Sequence, residues 1–174
     1  MRRDGFLPPR PTADPPHPFV APLSEVFHLN TRLFHNAFEG VSDFTARRQP
    51  NERSNNMIFL AMHLVDARFY LARFLGLEAP SPFSLDDILS IEQMPDFATV
   101  EDVRTLWARA AEQIMPRFAT LTIEDLERPS PDQFPIEDNT VAGGLTFLLQ
   151  HESYHLGQLG LLRKFFGLAA SKYA

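Results

Sequence analysis

Apolar residues recur along this chain at steps of three, four and seven, the spacing of one helix face, and no alternating strand pattern is present. The first pattern runs from about Leu23 to Ala46, with Leu23, Val26, Leu33, Ala37, Val41 and Phe44 on one face and Pro50 closing it. The second, from about Asn55 to Leu75, reads NNMIFLAMHLVDARFYLARFL. Its only charges are Asp66, Arg68 and Arg73, so it is expected deep in a core. The third starts near Thr99, where Thr99 and Asp102 form a capping-box pattern with Asp in the Glu position. It passes through Val103, Leu106, Trp107, Ala110 and Ile114 to Pro116, which should end or kink it. The fourth has Asn139 or Thr140 as its N-cap and continues to Phe166. Glu137 and Asp138 precede its positive end, Arg163 and Lys164 lie in its last turn, and Gly167 stands at the C′ position.

Between the second and third patterns, residues 76–98 carry Pro80, Pro82 and Pro95, with one helical turn expected at Leu85–Leu89. A second proline-rich connection, ERPSPDQFPIEDN, precedes the fourth helix. The expected fold is therefore all-α: a four-helix bundle whose two long connections leave room for crossovers. Residues 1–21 contain Pro8, Pro9, Pro11, Pro15, Pro16 and Pro18 and are expected to form an extended or disordered arm, free or draped over the domain or a partner subunit. The bundle then occupies residues 22–174.

Length and composition narrow the chemistry. A chain of 174 residues fits one domain with a substantial core, and its sixteen phenylalanines supply large rings that need no polar partner. There is no cysteine, so any transition-metal site must be built from imidazole and carboxylate. The net charge of −6 and the lack of a basic stripe argue against nucleic acid as a partner. No signal-peptide pattern and no membrane-length apolar run is present, which points to a cytoplasmic protein without a membrane partner.

The stretch FLLQHESYHLGQLGLLRKFF carries the chemistry. His151 and His155 are four residues apart, which on a helix places their Cβ atoms about 5–6 Å from one another. The same side of the helix presents Leu148, Leu159 and Leu162, so the histidines interrupt an inward-facing apolar stripe. His63 does the same in the second helix, among Leu60, Ala67 and Phe74. A third imidazole from a facing helix would complete a three-histidine site with open positions, suited to zinc, nickel or a similar ion. The alternative is a set of core histidines that satisfy one another and buried carboxylates. His28 and His35 share a helix side with Glu25, Arg32 and Glu39 and read as surface residues, and His17 lies in the arm.

HESYH also matches the zinc-protease pattern HExxH. After His155 the chain has no His, Asp or Glu to serve as a downstream ligand, and Leu161 occupies the last position of the extended motif. A protease is therefore not expected. Glu152 has no basic residue three or four positions away, so it could orient a ligand, act as a base, or pair with an arginine from elsewhere. Asp66 could accept from a histidine N–H. For both, a buried interhelical ion pair is the favoured role. Gly143, Gly144, Gly157 and Gly160 are expected to allow close approach of a neighbouring helix or subunit, since each costs about 1 kcal/mol relative to alanine in a helix interior.

At His151, His155, Gly157 and Gln158 the chain resembles the DinB-like superfamily, including its YfiT-type metal-dependent hydrolases; His63 in HLVDARFYL matches that family's second-helix histidine. The likeness covers about residues 22–168. It implies a bundle holding a zinc or nickel ion through His63, His151 and His155, with water or a small-molecule substrate at the remaining positions and subunits often paired as homodimers. Around these ligands Asp66, Glu152 and Gln158 are the candidate supporting residues, and Glu152 is a candidate catalytic base. Some relatives resemble hydrolases and others transferases that use a low-molecular-weight thiol. The expectation is a metal-dependent hydrolase or thiol transferase; the alternative is a non-catalytic bundle with a structural or regulatory metal, working through assembly.

Overall fold

Which helix ends meet sets the architecture of this protein, seen in a computed structural model that describes residues 18–83 and 98–173. Six helices lie in the described residues: α1 (Val20–Ala37), α2 (Asp43–Arg47), α3 (Met57–Phe74), α4 (Val100–Phe118), α5 (Ile123–Glu127) and α6 (Val141–Phe165). The four long ones form a ring in which α1 touches α4 and α6, and α3 touches the same two. Phe27 stacks on Phe118 and Phe34 on Trp107, so α1 and α4 run antiparallel. Arg117 Nε donates to the carbonyl of Leu75, so α3 and α4 end together and run parallel. The connection from α3 to α4 must then return along the bundle, about 27 Å for eighteen helical residues. Of the two long connections, this one is the crossover. The expected turn at Leu85–Leu89 falls outside the described residues, as does most of the proline-rich arm.

Local chemistry explains the helix ends. Asn56 caps α3 by accepting from Phe59 N, and its amide donates to the carbonyl of Arg47. Thr99 and Asp102 make the reciprocal capping box of α4, and Thr122 and Asp125 repeat it at α5. Thr140 accepts from Gly143 N at α6. Gly76 and Gly167 follow α3 and α6 with positive φ, as glycines after helix ends do.

Four expectations need correction. The first helix stops at Ala37, because the chain turns at Gly40 (φ 71°) and restarts as α2 with Ser42 as N-cap. Its buried face is Val20, Phe27, Asn30, Phe34 and Ala37, whereas Phe44 is 78% exposed and Val26 lies on the surface. The helix also begins inside the expected arm, with Pro22 in its first turn, where the missing amide is no loss. Pro116 lies in the last turn of α4, which ends two residues later at Phe118, close to where the proline is expected to stop it. His35 is half-buried, and burial together with Arg104 and Arg68 holds its pKa below the ordinary value.

The glycines divide. A side chain at Gly143 would meet the backbone of Asp138, and one at Gly144 would come within 2.6 Å of Phe74 and 2.7 Å of Phe134. Gly144 thus permits close approach of α3, while Gly143 makes room for the loop that leads into its own helix. At Gly157 and Gly160 a Cβ would meet open space. No described helix is long and apolar enough to cross a membrane.

Candidate metal centre

The facing helices α3 and α6 build this site between them. His63 lies midway along α3, and His151 and His155 occupy successive turns of α6. Their rings meet edge to face, with centroids 4.9 Å apart for His63–His151, 4.7 Å for His63–His155 and 4.6 Å for His151–His155. One nitrogen from each ring lies within 4.8 Å of the other two, and the Nε2 atoms of His63 and His151 are 3.0 Å apart. Two nitrogens bound to one ion at about 2.0–2.1 Å would themselves be separated by about 2.9–3.4 Å. The His63–His151 pair has that spacing, His155 lies within 4.8 Å of both, and the trio is the one such group among the described residues.

All three rings are poised neutral, the ligating form. Burial lowers the His63 pKa to about 4, helped by His155 and His151. Burial and His155 lower His151 to about 4 as well. His155 is also lowered by burial, against the opposing effect of its hydrogen bond to Gln158. In that bond the Nδ1–H of His155 donates to Gln158 Oε1 at 2.7 Å, while the amide nitrogen of Gln158 donates to Tyr154 Oη at 3.3 Å. Proton placement at Nδ1 leaves the lone pair of His155 on Nε2, facing the cluster. His151 Nδ1 is buried and has no hydrogen-bond partner among the described residues.

Aromatic rings border the cluster. Phe147, one turn before His151, stacks with it at 6.2 Å, and Tyr154 meets His155 edge-on at 5.1 Å. Phe134, from the connection before α6, packs on Phe147 at 5.1 Å. These rings were missing from the sequence expectations, although Phe147 and Tyr154 stand four residues before and three after His151.

Glu152 faces elsewhere. One step along a helix turns the side chain by about 100°, which carries Glu152 from the cluster into the core. There Arg68 grips it through two parallel bonds, Nε to Oε2 at 2.5 Å and Nη2 to Oε1 at 2.7 Å. Arg68 also donates to Thr31 Oγ1 and the carbonyl of Phe27 and lies 3.9 Å from the Trp107 ring centroid. Both charges are buried, at 0% and 4% exposure. The arginine from elsewhere is therefore Arg68, five residues after His63. Its signal is an arginine with no acidic residue three or four positions away in a mostly apolar helix. Asp66 accepts from Ser81 Oγ, which ties α3 to the start of the crossover.

The DinB superfamily model matches residues 27–159, and the chain belongs to that family. No curated protein and no solved structure matches it.

Proposed function

We propose that this member of the DinB superfamily is a metal-dependent enzyme acting on a small molecule, with one divalent ion held by His63, His151 and His155. The observation that carries this reading is the convergence of three neutral imidazoles from two facing helices within 4.8 Å. A nitrogen-only donor set suits zinc or nickel. When bound, such an ion polarises a substrate oxygen or lowers the pKa of a water or thiol at its open position.

The chain's own residues supply positioning. Gln158 fixes the proton and orientation of His155. Phe147 and Tyr154 give the site apolar flanks that would favour a compact, partly apolar substrate. Glu152 is not the base in this scheme, because both of its oxygens are held by Arg68 in the core. Any sulfur nucleophile must come from outside the protein, since the chain has no cysteine. Water would make the protein a hydrolase, and a low-molecular-weight thiol would make it a transferase. A structural metal is ordinarily closed off by four protein ligands. Three half-buried histidines support the catalytic reading instead.

The test is elemental analysis of the untagged protein beside His63→Ala and His151→Ala. The expected result is about one ion per chain in the parent and a sharp loss in both variants. Protein that is purified without metal and also fails to bind added zinc or nickel would end this reading. The loaded protein then goes to parallel ester-hydrolysis and thiol-transfer assays, which separate the two nucleophiles.

A further inference from the structure

The histidines of the trio are not oriented alike. Gln158 holds His155 by a hydrogen bond, but His151 Nδ1 is buried and has no hydrogen-bond partner among the described residues. A ligating histidine is almost always aimed through its second nitrogen, so His151 needs another means. A flat contact supplies one. Phe147 stands four residues earlier on α6, on the same side of the helix. Its ring lies against that of His151 with centroids 6.2 Å apart and planes 30° from parallel. Aromatic pairs stack at about 4.5–7 Å between centroids, and this one falls within that range.

Phe147 is itself held in place. Phe134 packs on it at 5.1 Å and meets Phe74 of α3 edge-on at 5.8 Å. Gly144 makes that seat, since a Cβ there would come within 2.7 Å of the Phe134 ring. The connection that carries Phe134 is closed at its base: Ser130 N donates to the Asn139 carbonyl and Val141 N to that of Arg128, both at 2.9 Å. Tyr70 ties the same connection to α3, its hydroxyl donating to Asp132 Oδ2 at 2.7 Å. A glycine is unfavourable inside a helix, and this one admits a ring whose neighbour lies against a metal-ligating imidazole.

We infer that Phe147 and Phe134 are positioning residues of the metal centre: Phe147 aims the His151 ring by stacking, as Gln158 aims His155 by hydrogen bonding, and Phe134 acts through Phe147. The torsion that turns an imidazole about its Cβ–Cγ bond is broad and has little preference of its own. What lies against the ring therefore decides where Nε2 points, and here it points at His63, 3.0 Å away. The inference rests on the three-histidine reading above and adds two residues that offer no atom to an ion.

The probe is zinc, competed against a chromophoric chelator in the full chain, with the absorption bands of the cobalt(II)-loaded protein as a report on ligand geometry. Phe147→Leu keeps an apolar side chain but no ring face, and should weaken zinc about fivefold, the worth of one aromatic pair. Its cobalt(II) bands should shift as well. Phe147→Tyr keeps the ring face and should retain parental affinity and bands. Phe134→Leu should weaken zinc about threefold in the parent and not at all in the Phe147→Leu background, because it acts through that ring. Urea unfolding of the metal-free variants separates aim from packing. Unchanged zinc affinity in Phe147→Leu overturns the inference, as does an equal loss in Phe147→Tyr, an undiminished effect of Phe134→Leu in the Phe147→Leu background, or a loss that merely follows unfolding stability across the set. A parent that binds no zinc overturns the three-histidine reading and this inference with it.

Discussion

The same two helices, α3 and α6, carry two polar clusters of opposite character. At Arg68–Glu152 the groups are fully buried and satisfied: a bidentate ion pair, two further acceptors and an aromatic face. At His63–His151–His155 the groups are half-buried, crowd their nitrogens together and leave His151 Nδ1 unpaired among the described residues. A satisfied network specifies how two helices dock. An unsatisfied, convergent one is a local conflict of the kind that proteins keep at functional sites. Glu152 and His151 are adjacent in sequence, and one helical step sends one into the scaffold and the other into the site.

This contrast breaks most visibly at Arg68. Arg68→Ala strands the Glu152 carboxylate in the core and should cost about 3–5 kcal/mol in urea unfolding. Arg68→Met combined with Glu152→Leu should recover much of that loss, since an apolar pair of similar volume often replaces a buried ion pair without penalty. A double variant as unstable as Arg68→Ala would refute the scaffold role assigned to the pair.

Next in size is Gln158→Leu, which removes the partner of His155 Nδ1. Loss of such a supporting bond typically weakens metal affinity about ten- to a hundredfold. Competition against a chromophoric chelator measures it, and unchanged affinity would remove Gln158 from the site.

The histidines themselves should matter little to the fold. His63→Leu or His151→Leu in metal-free protein should change unfolding free energy by no more than about 1 kcal/mol, because the lost bond is offset by relief of buried polar atoms. A large loss of stability would mean that the trio is structural.

The smallest effect is on pH dependence. Below the ordinary histidine value of 6.5 the unfolded chain takes up protons, whereas folded His63 and His151 resist them until about 4. The unfolded state therefore binds more protons in that window, and the metal-free protein loses stability as pH falls from 6.5 to about 4. Above it, their contribution is complete. Urea midpoints of the parent should drop more steeply across the window than those of a His63→Leu, His151→Leu double variant. Parallel slopes would remove these histidines as its source.

Much of this is legible in the sequence alone. The helix starts at Thr99 and Thr140 and the stop at Gly167 follow from hydrogen bonds within a few residues, so local sequence specifies them. The histidine trio stood out because imidazoles interrupted apolar stripes in two helices. The first helix was misjudged because Phe27 and Phe34 form one stripe while Leu23, Val26 and Leu33 offer a competing one; only contact with Phe118 and Trp107 decides between them.

The sequence by itself determined the four long helices in outline, the caps at Thr99 and Thr140 and the residues able to ligate a metal, because these depend on periodicity and on bonds spanning three or four positions. Tertiary structure decided the Arg68–Glu152 pairing and the meeting of His63 with His151 and His155. Each of these joins residues far apart in the chain, and their meeting is set by how helix faces pack in the folded bundle.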